Sequence, residues 1–156
     1  MKTFLIVGMD SVVGANLAAS WSSQSRVVGL AASSDITVPG CERVALERGS
    51  VEGIRKCLQQ SRASHVIFCG SAARSSWEPA SKSFNNSDAE SWAVAAAEES
   101  LHFTMISSDA VFTGPWMFHD EDSSAVCSSH EAASIRDMET RVQKACEKTL
   151  IVRTNA

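Results

Sequence analysis

The sequence predicts an α/β fold, a doubly wound parallel sheet in a single domain, and two observations support it. Apolar, β-branched runs alternate with segments of helical periodicity along the whole chain. A length of 156 residues with 44% apolar side chains suits one domain around one core. Strands joined by crossover helices pair in parallel, because each helix returns the chain to the starting edge of the sheet.

The first unit of the chain is strand, helix, strand. Thr3–Val7 is a continuous apolar run, which is typical of a strand buried on both faces. Residues 11–23 place Val13 and Leu17 on one face of a predicted helix. Residues 26–31 are apolar again and form the second predicted strand.

The second unit repeats this pattern. Residues 43–46 form a short third strand, and residues 50–61 turn Ile54 and Leu58 to one side at helical spacing. His65–Cys69 is the fourth predicted strand. The sheet therefore grows by further helical crossovers.

Two helices and two strands complete the predicted chain. A helix over residues 83–100 precedes a fifth strand at 103–107, and a helix over 131–147 precedes a sixth strand at 150–153. Ligands of doubly wound sheets bind at the carboxyl ends of the strands. We therefore expect residues 8–14, 70–76 and 107–114 to converge on one crevice.

Composition excludes several classes of function. A formal net charge of −4 offers no basic surface for a phosphate backbone, so we expect no nucleic-acid partner. We find neither a secretory signal nor an apolar run that would span a membrane, and we expect a cytoplasmic protein. The five cysteines form no CxxC pair, which argues against a disulfide framework and a zinc site; we expect no metal.

A glycine-containing turn follows the first strand. Gly8 and Gly14 occupy the first and last positions of a G-x-x-G-x-x-G spacing, and Ser11 occupies the middle one. The N–H groups and dipole of a helix amino end attract a pyrophosphate. The alternative is that both glycines serve only a tight turn and close helix packing. The residues that we expect to hold a dinucleotide here are Gly8, Asp10, Ser11, Val12, Val13 and Gly14.

Three further segments carry a resemblance. Residues 65–73 run from an apolar strand into a loop of small residues, and residues 84–89 contain Asn86. Residues 105–114 read Met-Ile-Ser-Ser-Asp-Ala-Val-Phe-Thr-Gly. With residues 8–14, these motifs resemble the extended short-chain dehydrogenase/reductase family, in its branch of sugar-nucleotide reductases. The resemblance covers essentially the full chain and implies a Rossmann-like fold, NADP or NAD as cofactor, and a nucleotide-sugar ligand.

The resemblance also assigns roles to individual residues. Ser108 matches the hydroxyl residue that assists proton transfer in the family, and Asp109 follows it. We treat both as candidate catalytic residues. The resemblance places Gly70, Ser71 and Ala72 beside the nicotinamide ribose of a cofactor, and we expect Asn86 and Ser107 to bind the cofactor as well.

The family's proton-transfer pair is missing. Its tyrosine and lysine fall at Glu131 and Ile135 when residues are counted without gaps, or at Ala132 and Arg136 with a slip of one. The chain contains no tyrosine at all. The usual mechanism, in which a lysine lowers the pKa of a phenol, is therefore not available.

Cofactor recognition is weakened as well. The second strand ends without the carboxylate that binds an adenosine ribose, although Ser33 could accommodate a 2′-phosphate. The family's aspartate beside the adenine is replaced within residues 48–50. We expect NADP or NAD to bind weakly, if either binds. The family continues past the sixth strand, so we expect residues 1–156 to be the dinucleotide-binding domain without a substrate-binding part.

Two functions follow from this pattern. The first is a non-catalytic module that binds a nucleotide or a partner; the alternative is a divergent or truncated NAD(P)-dependent reductase or epimerase acting on a nucleotide-linked sugar. The resemblance also implies a homodimer formed through two helices. The apolar residues that we expect at that interface are Phe84, Trp92, Ile135, Met138 and Val142.

Overall fold

The structure is a computed structural model that describes residues 2–32, 36–46, 51–74, 84–113 and 119–155, with only the backbone of Asn86. Its sheet contains six parallel strands in the order β3-β2-β1-β4-β5-β6. The strands are β1 (Thr3–Val7), β2 (Arg26–Leu30), β3 (Glu42–Arg43), β4 (His65–Cys69), β5 (His102–Ser108) and β6 (Thr149–Thr154). The helices are α1 (Val12–Trp21), α2 (Val51–Ser61), α3 (Ala89–Glu98) and α4 (His130–Ala145). The predicted doubly wound α/β fold is confirmed.

Two elements differ from the prediction. β3 ends at Arg43, because after the bond from Val44 N to Gly29 O the chain leaves the sheet. The helix expected over 83–100 begins only at Ala89, after a 3₁₀ turn at Asn86–Asp88. It ends where Ser100 adopts a φ of 56°, a left-handed conformation that a helix cannot continue through.

The two faces of the sheet carry different helices. On one face, α2, α3 and α4 pack on Leu5, Val66 and Phe103. On the other, α1 packs on Ile6 and Ile67. Alternate residues of each strand supply the two cores, as the pleat of a strand requires.

The apolar residues on which the homodimer prediction rests are used inside the chain. Trp92 is 1% exposed and Val142 is fully buried, both in the core shared by α3 and α4. Ile135 and Met138 are also buried, and Phe84 packs against the same core. These side chains therefore offer little area to a second copy.

The outer surface of these helices is charged. Arg55 of α2 binds Glu98 of α3 with Nη2 and Oε2 2.8 Å apart, and Arg141 of α4 binds Glu90 of α3. All five cysteines are free thiols. Among the residues that the structure describes, no helix is long and apolar enough to cross a membrane.

Candidate functional site

The carboxyl ends of β1, β4 and β5 meet at one edge of the sheet. Val7 pairs with Phe68, and Cys69 pairs with Ile106, so the turns after these strands are neighbours. Residues 8–14, 70–74 and 107–113 therefore lie next to one another at this edge. The remainder of the segments predicted there lies outside the described residues.

Close packing of the first turn requires glycine at positions 8 and 14. Gly8 has a φ of 83°, and a Cβ there would lie 2.1 Å from Cys69 O. A Cβ at Gly14 would lie 2.2 Å from Gly8 O. Both separations are far below a van der Waals contact, so only glycine allows the helix and the turn to approach so closely.

Ser11 closes the turn with its own hydroxyl. Its Oγ accepts a hydrogen bond from Gly14 N at 3.0 Å and donates one to Gly8 O at 2.8 Å. The residue is only 4% exposed and serves as the N-cap of α1. The hydroxyl is thus engaged within the turn, where a glycine would leave open backbone for a phosphate to approach.

The neighbours of Ser11 are more accessible. Val12 is 39% exposed at the first position of α1, and Val13 and Asp10 are half-buried. Met9 is fully buried, and its Sδ occupies the position that a Cβ of Gly29 would need. The amino end of α1 is therefore accessible, whereas Met9 at the start of the turn is buried.

The loop after β4 is small and close to the turn. Gly70 is buried and leads into a 3₁₀ turn at Ser71–Ala73. Ser71 is exposed, Ala72 is half-buried, and Ala73 N donates to Gly70 O at 3.0 Å. The loop that follows β4 is therefore built from small residues.

A cavity of about 770 Å³ lies beside the first turn, at the carboxyl ends of β2 and β3. Leu30 belongs to its wall, and Leu30 O accepts hydrogen bonds from Gly8 N and Met9 N. Arg43 brings a positive charge to the wall, and Asp88 accepts from Asn85 N at 3.2 Å. The backbone of Asn86 lies in the adjoining turn, whereas Ser33 lies outside the described residues.

The two candidate catalytic residues follow β5. Ser108 is half-buried, and its Oγ accepts from Ala110 N at 3.1 Å. Asp109 is exposed and begins a 3₁₀ turn at Asp109–Val111. Ser107, one residue earlier, is fully buried and faces the opposite side of the sheet, where its hydroxyl donates to Glu139 Oε1 at 2.6 Å.

Sequence reasoning missed the buried ionic network around Glu139. This carboxylate is 4% exposed on α4 and accepts from Ser107 and from Arg153 of β6. The pairing with Glu139 raises the pKa of Arg153. The guanidinium of Arg153 lies 4.9 Å from the ring centroid of Phe112, and the Phe112 ring stacks on His119. The sequence signal for this network was a glutamate, Glu139, next to Met138 on the buried face of α4.

The start of α4 contains neither residue of the proton-transfer pair. Glu131 is exposed and Ile135 is 6% exposed. In the shifted register, Ala132 is buried and Arg136 donates to Cys127 O at 2.7 Å and Val111 O at 3.3 Å. In that register Arg136 occupies the lysine position, and its guanidinium is bound to backbone carbonyls of the surrounding loops.

Metal ligands are not clustered in the part of the chain that the structure describes: no three His, Cys, Asp or Glu residues lie together so that they could hold an ion. His119 Nδ1 instead lies 3.0 Å from Ser123 Oγ. This edge of the sheet offers the amino end of α1, small loop residues and, beside the first turn, a cavity of about 770 Å³, which together suit an extended phosphate-containing ligand.

A family model described as "RmlD substrate binding domain" matches residues 1–156. A search of curated proteins found no significant match.

Solved structures share the fold at low identity. A dTDP-4-dehydrorhamnose reductase of Bacillus anthracis, in complex with NADP, is 18% identical with a TM-score of 0.64; the match covers 98% of this chain and 53% of that one. A dTDP-4-dehydrorhamnose reductase of Clostridium acetobutylicum is 16% identical with a TM-score of 0.66, covering 98% and 53%. A UDP-glucuronic acid 4-epimerase of Bacillus cereus, in complex with UDP-glucuronic acid and NAD, is 18% identical with a TM-score of 0.67, covering 97% and 55%. The chain thus spans about half the length of these proteins.

Proposed function

Because this chain belongs to the RmlD substrate binding domain family, and is thereby related to NAD(P)-dependent sugar-nucleotide reductases and epimerases, we propose that it is a dinucleotide-binding module without reductase activity. One observation carries the proposal. At the start of α4, the positions of the family's tyrosine and lysine hold Glu131 and Ile135, or Ala132 and Arg136 in the shifted register, and the chain contains no tyrosine. The family fold is retained, and the proton-transfer pair is not.

Dinucleotide binding is supported by the geometry of the crevice. The pyrophosphate would lie at the amino end of α1, above Ser11 and Val12, where the helix dipole favours negative charge. The adenosine would enter the cavity of about 770 Å³ beside Leu30. The B. anthracis reductase is a complex with NADP and the B. cereus epimerase is a complex with NAD, so we propose a nicotinamide dinucleotide as the ligand.

We favour NADP over NAD. Ala31 and Ala32, which follow β2 in the cavity wall, have no carboxylate for a ribose 2′-hydroxyl, whereas Arg43 lines the same cavity. A guanidinium binds phosphate oxygens in pairs, which a hydroxyl cannot match. Affinity should nevertheless be low, because Ser11 occupies the position of closest phosphate approach.

Calorimetric titration tests this binding. We expect measurable NADPH binding that is weaker than micromolar, with NADH weaker still, and Arg43→Gln should remove the difference between them. Arg62→Gln, an exposed arginine at the end of α2, is the matched control. Submicromolar affinity for NAD, or no dinucleotide binding at all, would contradict the proposal.

Catalysis should be absent for a chemical reason. Hydride transfer to a ketone creates an alkoxide, and a serine hydroxyl such as that of Ser108 is a poor proton source at neutral pH. Glu131 cannot replace a phenol, because an ionised carboxylate repels the developing anion. Even Glu131→Tyr combined with Ile135→Lys should restore only a trace of turnover in these 156 residues, which span about half the length of the relative.

The assay is NADPH oxidation with a panel of 4-keto sugar nucleotides. We expect no rate above the enzyme-free background. Saturable turnover by the unchanged protein would favour the second candidate, a divergent reductase or epimerase that uses Ser108 and Asp109. The accessibility of these two residues at the crevice is the observation that keeps this candidate open.

The homodimer and the cytoplasmic location stay predictions. A homodimer would need a surface other than the buried Trp92 and Val142. A monomeric mass in light scattering over a wide concentration range would reject the dimer. The cytoplasmic location is likewise an expectation from the sequence, and fractionation of cells that express the natural gene would test it.

A further inference from the structure

Two histidines lie side by side at the amino edge of the sheet, at the opposite end of the strands from the candidate site. His65 begins β4 and His102 begins β5, and the two residues pair in register across these parallel strands. Both side chains therefore point to the face of Ile67, on which α1 packs. The centroids of the two imidazole rings are 4.7 Å apart, and the ring planes differ by 13°.

A serine fixes the orientation and the hydrogen of the His65 ring. Ser64 Oγ donates a hydrogen bond to Thr3 O at 3.1 Å and accepts one from Thr3 N at 3.2 Å. A hydroxyl has one hydrogen, so in its contact with His65 Nδ1 at 2.9 Å the ring nitrogen is the donor. The neutral ring therefore carries its hydrogen on Nδ1, which leaves the lone pair of Nε2 for a ligand.

The surroundings keep His65 in the neutral form that binds metal ions. Burial, His102 and Lys2 lower the pKa of His65 below its usual 6.5, so the ring is uncharged at pH 7. Phe4 packs on the ring with centroids 5.1 Å apart, and Trp21 packs on Phe4. Helix α1, which lies on this face, contains no charged residue.

The separation of the two rings suits a shared ion. Zn²⁺ binds an imidazole nitrogen at about 2.0–2.1 Å, and two imidazoles at a tetrahedral angle then have ring centroids about 5 Å apart. The observed separation of 4.7 Å agrees with this value. Because the rings are nearly parallel, one ring has to turn so that both nitrogens point at the ion. His102 is exposed whereas Ser64 holds His65, so His102 is the ring that turns.

Nitrogen ligands select the class of ion. Imidazole suits Cu²⁺, Ni²⁺ and Zn²⁺, whereas Mg²⁺ and Ca²⁺ prefer oxygen ligands, which the two rings do not supply. We propose that His65 and His102 together bind one divalent transition-metal ion, with water in its remaining coordination positions. The expectation of no metal rests on the cysteine pattern and does not concern two histidines that are distant in sequence. Since the pair lies at the opposite edge of the sheet, this binding does not depend on a dinucleotide.

Titration with Ni²⁺ tests the pair directly. Calorimetry of the 156-residue chain at pH 7.5 should show saturable binding of NiCl₂ with a Kd below about 100 µM, and MgCl₂ should not bind. His65→Gln and His102→Gln should each weaken Ni²⁺ binding at least tenfold. His130→Gln removes an exposed histidine on α4 and is the matched control, which should bind Ni²⁺ unchanged.

Nuclear magnetic resonance locates the ion. The chain contains four histidines, and their imidazole signals can be assigned from single variants. Ni²⁺ is paramagnetic, so a substoichiometric amount should broaden the signals of His65 and His102 together and leave that of His130 sharp. If circular dichroism shows that His65→Gln does not fold, His102→Gln carries the test, because its side chain is exposed.

The charge of Lys2 gives an independent test. Lys2 is close enough to His65 to act on it electrostatically, and a cation beside the pair opposes the binding of another cation. Lys2→Gln should therefore tighten Ni²⁺ binding about twofold. Lys144→Gln, which removes an exposed lysine on α4, is the matched control and should not change it.

Three results would overturn the inference. The first is absence of Ni²⁺ binding up to millimolar concentration. The second is binding that both His65→Gln and His102→Gln leave unchanged, which would place the ion elsewhere, for example on the half-buried thiol of Cys127. The third is broadening of only one of the two imidazole signals, because the ion would then not be shared.

Discussion

Glu139 and Arg153 form a double hydrogen-bonded ion pair that joins α4 to β6. Arg153 Nε lies 3.0 Å from Oε1, and Nη2 lies 2.7 Å from Oε2. The carboxylate is almost fully buried and also holds the Ser107 hydroxyl. Helix α4, β5 and β6 are thereby fixed to one another directly behind the candidate site.

Removing this carboxylate should be costly. Glu139→Ala leaves the Arg153 charge and the buried Ser107 hydroxyl without their acceptor, and we expect the free energy of unfolding to fall by about 3 kcal/mol. Glu90→Ala is the matched control, because it breaks the exposed pair with Arg141 and should cost about 0–1 kcal/mol. Urea titrations give both values. Equal losses in the two variants would show that burial of the pair is unimportant.

The first turn can be tested by restoring its middle glycine. Ser11→Gly removes a hydroxyl that is bonded to Gly8 and Gly14 and exposes turn backbone to a phosphate. We expect tighter NADPH binding at a stability cost of about 0.3 kcal/mol. Ser11→Ala is the control: it keeps a Cβ, loses the cap at about 1 kcal/mol, and should not gain affinity. An Ala variant that binds as tightly as the Gly variant would refute this view of the turn.

Stability should depend on pH through His65. Burial, the neighbouring His102 and Lys2 lower the pKa of His65 below its usual 6.5, and the two imidazole rings stack 4.7 Å apart. The folded state therefore binds fewer protons than the unfolded chain just below pH 6.5. The contribution of the neutral ring is present above the unfolded pKa and is lost as the pH falls through the folded pKa.

His65→Gln should accordingly reduce the loss of stability on acidification from pH 7 to pH 5. Urea titrations at several pH values measure the slope. His130→Gln, which removes an exposed histidine at the start of α4, serves for comparison. An identical slope for His65→Gln would exclude the stacked pair as its source.

Cys127 should be the first thiol to react with iodoacetamide. Hydrogen bonding with Ser129, whose Oγ lies 3.4 Å away, and the charge of Arg136 lower the pKa of Cys127. Burial raises the pKa of Cys57 to about 11. Peptide mapping by mass spectrometry at pH 7.5 should find the label at Cys127 before Cys57, and Ser129→Ala should slow it. Faster labelling of Cys57 would contradict this order.

The strands of the sheet could be predicted from the sequence, because the pattern that identifies a strand is local. The bounds of β1 and β4 agree with the apolar runs Thr3–Val7 and His65–Cys69, since strands buried on both faces need continuous apolar side chains. β3 was misplaced because a two-residue edge strand with exposed side chains has no such pattern. The late start of α3 depends on turn chemistry at Asn85 and Asp88, which periodicity does not register.

The candidate site was predictable only in outline. Motif order identified the turn around Gly8 and the segment around Ser108, because each follows a strand directly. The contact between Ser107 and Glu139 joins residues that are 32 positions apart. It exists because α4 crosses β5 at that level, which is a property of packing and not of either local sequence.

The two edges of the sheet differ in length, and this difference affects how chains associate at high concentration. β3 is a two-residue strand, so that edge presents few backbone groups to another chain. β6 closes the other edge with six residues, and no strand among the described residues pairs with its outer side. Leu150 and Val152 stand exposed along that strand. Association of chains at high concentration should therefore begin by strand addition at β6, and a charged or proline substitution on that edge would raise the concentration at which the protein precipitates.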